Sequence, residues 1–543
     1  MGKEMGVLII FLIINMPIMD LDSIKQKMKG YGLSTFFGIL PDTFECEIID
    51  VMKDVEPKRN LIIAKLSKQN LENSGVVSGM SGSPVFINNK LIGAVAYAWE
   101  FQKEPICGIT PIYEMLYPES FPKGRNLPIR NYTLPIALSS NLDKRTLELF
   151  KQIFPENIKP IFLPMGKGEK EDIEIEPSLG YAVGATLIDG DLKAAAIGTL
   201  TYINKDTIYA FGHPLFNFGE LELPLVLGKI HCIMPAYDNS FKLFSPVKEI
   251  GVINYDYQTA IKGILNKKAK KIPVRIKITN ENKKEIFNYE ICNHHKLIPF
   301  LLPICLSSSY SFFTTKSLLN YTIQNKIKLK FLLKDREEEF IYEKISISDE
   351  PRSWELYDFY NDLKTILENP LEKITIKECE IESEIIPEKR AAKILDITLN
   401  KTRFLIKDEL KVKITFQDLE GRIFDKEISL KIDLSPAQYF LFVGNPDDFF
   451  AIFPQKEEKS FSKLLENIKK RKRGNLLKLA IYSQAKGIML KDLGYSLPLS
   501  LKRLKEKGFS ETSPFTIGYE KEDTFNYFIT NSKILTFEVK EEK

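Results

Sequence analysis

Short alternations of apolar and polar residues, broken by glycine and asparagine, recur along most of the chain and predict strands far more often than helices. Between about Lys29 and Tyr113 they include Asn60–Leu66 and Lys90–Tyr97. Asn88-Asn89 separates Pro84–Ile87 from Lys90–Tyr97 and can supply the positive φ angles of a tight hairpin. A second glycine-punctuated β region runs from Leu179 to Leu265. Within it Ala194–Ile203 and Thr207–Phe211 read as a hairpin joined by Asn204-Lys205-Asp206 and ending on Gly212-His213-Pro214. Alternation returns from Ile374 to Val443, most clearly in Leu410–Phe416 and Glu427–Ile432 with Glu420-Gly421 between them. That spacing predicts a small Ig-like β-sandwich over residues 370–445.

The remaining segments read differently. Residues 116–176 carry many prolines and the charged stretch Lys167–Asp172 around a helix expected near Leu142–Phe154, and form a connector. Residues 272–368 are a mixed α/β accessory region, in which the apolar stretch Leu297–Leu306 is too short to cross a bilayer and belongs to a core. Ser460–Lys472 predicts a helix, and the basic run Lys469–Arg473 suits its C-terminal dipole better than a nucleic acid. The last ~30 residues read as a further hairpin, so 455–543 is a helical segment with a terminal β-hairpin. The whole is mainly β, and 543 residues need several cores because one core stops growing near about 250–300 residues.

Composition changes this picture little. The net charge of +4 is too small for the size of the chain to argue for a nucleic-acid partner. Six cysteines lie far apart, without the paired spacing of zinc or redox motifs, and read as buried thiols. Cys292-Asn293-His294-His295 lacks a second ligand cluster, so neither a metal nor an organic cofactor is expected. At the start, residues 1–20 hold an apolar run from Gly6 to Met19 that suits a secretory signal better than a spanning helix. No small-residue cleavage site follows it, which leaves a cleaved signal, an uncleaved membrane anchor and a buried N-terminal element as alternatives. Export to an extracytoplasmic or periplasmic site is the expectation.

Candidate chemistry centres on Gly79-Met80-Ser81-Gly82-Ser83-Pro84. A serine hydroxyl attacks a carbonyl only where a base takes its proton and aligned donors meet the oxyanion. Glycines flanking Ser81 permit a tight turn whose amides converge, with Gly79 and Ser81 as the natural oxyanion donors. The strand-turn-strand that follows has the form seen after the nucleophile of chymotrypsin-like peptidases. Of four histidines in the chain, His213 stands at a strand end between Gly212 and Pro214, where another loop can approach it closely.

Gly75–Pro84, Ala194–Tyr202 and Phe211-Gly212-His213 together resemble the SpoIVB-type serine peptidases, the sporulation stage IV protein B peptidases and their bacterial relatives, over about residues 28–265. The resemblance implies a split, trypsin-like double β-barrel: a serine half at 28–115, the connector at 116–176 and a histidine half at 177–265. It also implies Ser81 as nucleophile and His213 as general base. The serine half precedes the histidine half here, the reverse of the sporulation peptidase. The family's third residue, an aspartate shortly before the serine motif, is replaced by Leu66-Ser67-Lys68-Gln69-Asn70. Asp256 is the first substitute, from the same half as His213, and Asp191 the second; a Ser-His dyad needs neither. The expected function is a serine endopeptidase of the cell envelope acting on a polypeptide, its own chain included. The competing reading is an inactive envelope scaffold that keeps the fold and meets a protein partner through its C-terminal β domains.

Overall fold

The structure is a computed structural model that describes residues 16–541 apart from 57, 121–131, 140–141, 157, 167–174, 314–320, 335, 349–353, 432, 453–459, 472–474, 485–486, 491–492 and 497–514. The apolar run up to Asn15 and the charged stretch Lys167–Asp172 therefore lie outside the described residues, as do Lys472 and Arg473.

Six strands close the first barrel: β1 (Lys29–Ser34), β2 (Asp42–Glu56), β3 (Arg59–Ser67), β4 (Pro84–Ile87), β5 (Lys90–Tyr97) and β6 (Ile106–Pro111), ordered β1-β2-β3-β6-β5-β4. Alternation along β2 drives the closure, because Phe44, Cys46 and Ile48 are buried while Glu45 and Glu47 face water. They meet Ile62, Ala64, Leu66, Val85, Ile92, Val95 and Ile109 in one core. Each large side chain so buried contributes about 1.5–3 kcal/mol. Asn88 and Asn89 take φ of 50° and 58° and turn the β4–β5 hairpin. At the described start of the chain, the Leu91 amide donates to the Pro17 carbonyl and the Met19 amide to the Leu91 carbonyl, and Met19 enters this core.

Next come β7 (Tyr132–Leu138), a helix at Lys144–Lys151 capped by the Asp143 carboxylate, and β8 (Ile158–Pro164), which runs parallel to β7. The following strands are β9 (Ala182–Gly190), β10 (Ala194–Asn204), β11 (Thr207–Ala210), β12 (Gly219–Met234), β13 (Phe241–Asp256) and β14 (Ile261–Leu265). Their pairings, β9–β10, β10–β11, β11–β14, β14–β13, β13–β12 and β12–β9, complete a second ring. Closure of both rings leaves few strand edges open to water.

Beyond the second ring the sheet continues. The end of β9 pairs with β16 (Lys283–Cys292), followed by β15 (Lys271–Asn280), and then by β19 (Ile374–Ile386), β17 (Tyr321–Leu333) and β18 (Arg336–Ser348). The apolar stretch at Leu297 begins a buried helix, Ile298–Ser311, in the same hydrophobic cluster as β9, β15 and β16.

Two expectations need correction. The sandwich is not confined to 370–445: β19 belongs to the preceding sheet, and the sandwich core instead lies between residues of 391–540. One face is β20 (Ala391–Leu399), β22 (Glu409–Asp418), β23 (Ile423–Lys431) and the short Phe528–Ile529. The other has β21 (Arg403–Leu405), Lys533–Lys540, β24 (Ala437–Gly444), β25 (Leu476–Gln484) and Phe515–Thr524. The last two long strands make no hairpin with each other, since Phe515–Thr524 pairs with β25 and Lys533–Lys540 with β24. The link between them is no turn, because Phe525 and Tyr527 pack against Phe416 and Phe424 and Ile529 is buried in the core. Alternation tells a strand which face to bury and does not tell it which neighbour to take.

Candidate active site

The Gly79–Ser83 turn links the two barrels through its backbone. Gly79 and Gly82 adopt φ of +98° and +94°, a region that costs other residues steric strain. The Met80 amide donates to the Val77 carbonyl and the Ser83 amide to the Met80 carbonyl, which closes the turn. Three of its other carbonyls are taken by β10 of the second ring: Ser81 O accepts the Thr199 amide at 2.7 Å, Gly79 O the Thr199 hydroxyl at 2.9 Å and Gly82 O the Thr201 hydroxyl at 2.6 Å. Polar groups buried at a barrel interface need such partners.

Two amides of the turn stay uncommitted. Neither the Gly79 nor the Ser81 N–H donates to a partner among the described residues, and these are the two expected oxyanion donors. Ser81 Oγ is likewise buried and without a hydrogen bond. An unpaired buried hydroxyl is costly, so this one stands open to a partner from outside the chain.

The histidine motif abuts the same turn. A Cβ on Gly82 would meet Thr199 O at 2.0 Å and Phe211 N at 2.5 Å, so only glycine lets the chains come together here. Gly212 packs on Ala96 and Val95 of β5, and its carbonyl accepts the Thr110 hydroxyl at 2.7 Å. His213 itself is fully buried, with Nδ1 2.8 Å from the Pro214 carbonyl. A carbonyl only accepts, so Nδ1 carries the hydrogen and Nε2 keeps its lone pair. Burial pushes the imidazole down to about 4, and the bond to Pro214 pulls the other way. The ring is neutral at pH 7, as a base must be. No hydrogen bond joins it to Ser81 Oγ.

Asp256 is buried at the end of β13, where its two oxygens accept the amides of Leu215 and Phe216 at 2.8 and 2.7 Å, with Phe218 at 3.4 Å. Burial lifts this carboxyl to about 6, with the amides opposing. It therefore holds the loop that follows His213, and through that loop the Pro214 carbonyl, while its oxygens face amides. Asp191 sits at the β9–β10 turn and accepts the Asn288 amide at 2.7 Å, on the edge joining β16. Of the tract considered for metal, Cys292 is buried and His294 stacks on Phe218.

Sequence reasoning passed over Lys242. It is fully buried on β13, and its amide donates to the Ser78 carbonyl. Its stem lies 3.1 Å from where a Gly79 Cβ would be, and its Nζ is 2.8 Å from Ser34 Oγ, which also accepts the Ser83 hydroxyl at 2.9 Å. The signal was period two: in Ser240-Phe241-Lys242-Leu243-Phe244 the lysine shares the inward face with Ser240 and Phe244. Lysine is almost never fully buried without a charged partner.

Comparison with known proteins adds one finding. Residues 27–116, which span the first barrel and the serine turn, match the model of the SpoIVB peptidase S55 family. No curated protein and no solved structure gives a significant match.

Proposed function

We propose, for a chain whose residues 27–116 match the model of the SpoIVB peptidase S55 family, that it is a serine peptidase that hydrolyses peptide bonds as an endopeptidase through an acyl-enzyme on Ser81. The observation that carries this reading is the convergence of three uncommitted groups on one turn: the buried Ser81 hydroxyl and the Gly79 and Ser81 amides. The two closed rings that flank the turn, joined across it by Thr199 and Thr201, suit a chymotrypsin-like double barrel.

The chemistry follows from those groups. Ser81 Oγ attacks the substrate carbonyl as His213 Nε2 takes its proton, and the carbonyl electron pair settles on oxygen facing the two amides. Collapse returns the proton to the leaving amine, and water then repeats the sequence in reverse on the acyl ester. Catalytic hydrogen bonds tighten on substrate binding, so the Ser81–His213 bond forms in the Michaelis complex. Asp256 acts here by fixing the loop after His213. An acid bonded to the imidazole is no part of the reading, which is that of a dyad. Export and an envelope location belong to the same reading, on the strength of the apolar run Gly6–Met19.

Labelling by a fluorophosphonate probe tests it. The purified protein should take up one label, Ser81→Ala none, and His213→Ala should label about 10²–10⁴-fold more slowly. A second reading, an envelope scaffold that keeps the fold without the activity, draws on the absent hydrogen bond at Ser81 Oγ. A folded wild type that takes up no label would decide for the scaffold.

A further inference from the structure

Behind the serine turn lies a lysine that the reaction above does not use. Its surroundings hold no charge to match it: Ser34 comes from β1, the Phe36 ring from the loop after β1, 5.7 Å from Nζ, and the Gly79 backbone from the turn. Among the described residues no carboxylate, histidine or second cation pairs with Lys242, and burial alone pushes its amine down to about 7. A methionine would fill the same space without that penalty, so the amine lowers stability where it stands.

The hydroxyls beside it explain what the amine does. A neutral amine has one lone pair, and the chain can then run from Ser83 O–H to Ser34 O, and from Ser34 O–H to Nζ. An ammonium has three donors and no acceptor. It must give a hydrogen to Ser34, which leaves the Ser34 O–H to turn elsewhere and an uncompensated charge under Gly79. Ser83 lies two residues after Ser81 and its amide closes the turn on Met80, so whatever moves Ser83 moves the oxyanion donors.

We infer that Lys242 is a positioning residue of the Ser81 site, which, as the uncharged amine, holds Ser34 and Ser83 and so keeps the Gly79 and Ser81 amides aimed at one point. The inference rests on Ser81 as nucleophile for its catalytic consequence, and on the hydroxyl chain alone for its structural one. Protonation of the amine loosens the turn, and the site fails on the acid side of neutrality although His213 remains neutral there.

Two readouts across pH 5.5–8.5 test this on the full-length protein. The first is hydrogen exchange of the segment Gly75–Val85, followed by mass spectrometry and corrected for the intrinsic effect of pH. The second is the rate of fluorophosphonate labelling. Wild type should lose protection in the segment and labelling rate together, at least several-fold, as pH falls through about 7. Lys242→Met should show no step in either, and Ser34→Ala should lose protection at pH 8, where wild type keeps it. The same protection step in Lys242→Met as in wild type overturns the inference, whatever the labelling does. A protein that never labels but shows the step, abolished by Lys242→Met, sinks the nucleophile and leaves the positioning role standing. Should Lys242→Met fail to fold, full protection of Ser34→Ala at pH 8 is the overturning result.

Discussion

Gly82 has room for a hydrogen and nothing larger, since a methyl there would stand 2.0 Å from the Thr199 carbonyl and 2.5 Å from the Phe211 amide. Both obstacles are backbone, so neither can rotate away. Gly82→Ala should cost at least about 3 kcal/mol through displacement of one barrel from the other, on top of strain at positive φ. At Gly79 the nearest atom is a methylene of Lys242, 3.1 Å away, which can yield. Gly79→Ala should therefore cost about 1–2 kcal/mol, most of it φ strain, yet lower labelling strongly if the amide it misplaces is the oxyanion donor proposed above. Urea titration and probe labelling of the two variants separate these outcomes; equal stability loss at both positions would contradict the contact argument. Lys242 makes a pH-dependent contribution of its own. Its folded amine titrates near 7 and its unfolded amine near 10.5, so between those values the unfolded chain holds a proton that the folded one lacks. Stability then rises with pH across that window. Between pH 7 and pH 9 wild type should gain on the order of 2–3 kcal/mol relative to Lys242→Met, and a constant difference would show that the amine is hydrated or paired.

Among the elements, the loop from Pro214 to Phe218 depends most on a single side chain. Three of its amides point at Asp256, so Asp256→Asn replaces one acceptor oxygen by an N–H₂ that faces a donor. The loss should be about 1–3 kcal/mol, and it should slow labelling by displacing the Pro214 carbonyl that holds His213. If Asp256→Asn left the labelling rate unchanged while lowering the melting temperature, the loop would be shown to have no hold on the base. At this scale much could be read from the chain. Asn88-Asn89 gave the β4–β5 hairpin because two asparagines tolerate positive φ, and the fall of Leu142–Phe154 on a short helix follows from Asp143 as its cap. The turn at Ser81 was legible from its glycines. What Asp256 does was not, because a sequence shows that a carboxylate is present and says nothing of which amides will reach it. Lys242 escaped for a related reason: a charged residue on an inward face is read as noise until its neighbours are known.

For the whole molecule, the question is where one core ends and another begins. The hydrophobic cluster under β9 runs on without a break into β15, β16 and the helix Ile298–Ser311, with Val183, Leu187, Ile276, Ile291 and Leu301 in one contiguous group. The basic patch Lys267–Lys271 falls between the expected histidine half at 177–265 and the accessory region at 272–368, and the sheet crosses that boundary, since β9 itself hydrogen-bonds to β16. The sandwich is different, for its core is a separate cluster between residues of 391–540. It meets the rest through the helix Phe461–Arg471, whose Phe461, Leu465 and Ile468 pack on the larger cluster beside Phe331, and through Phe528–Ile529, which lies against β18. A chain ending at Asn266 keeps both rings but uncovers the flank of β9, and an exposed apolar surface of that kind drives aggregation. A chain ending at Glu388 uncovers the patch that this helix and Phe528–Ile529 covered. The shorter chain should therefore be recovered insoluble or without a cooperative melt, whereas the longer one should melt cooperatively, at a lower temperature than full length, and still take the probe at Ser81. Cooperative folding and labelling of the chain ending at Asn266 would mean that the two rings suffice as a unit, and that the extension of the sheet serves something other than the stability of the site.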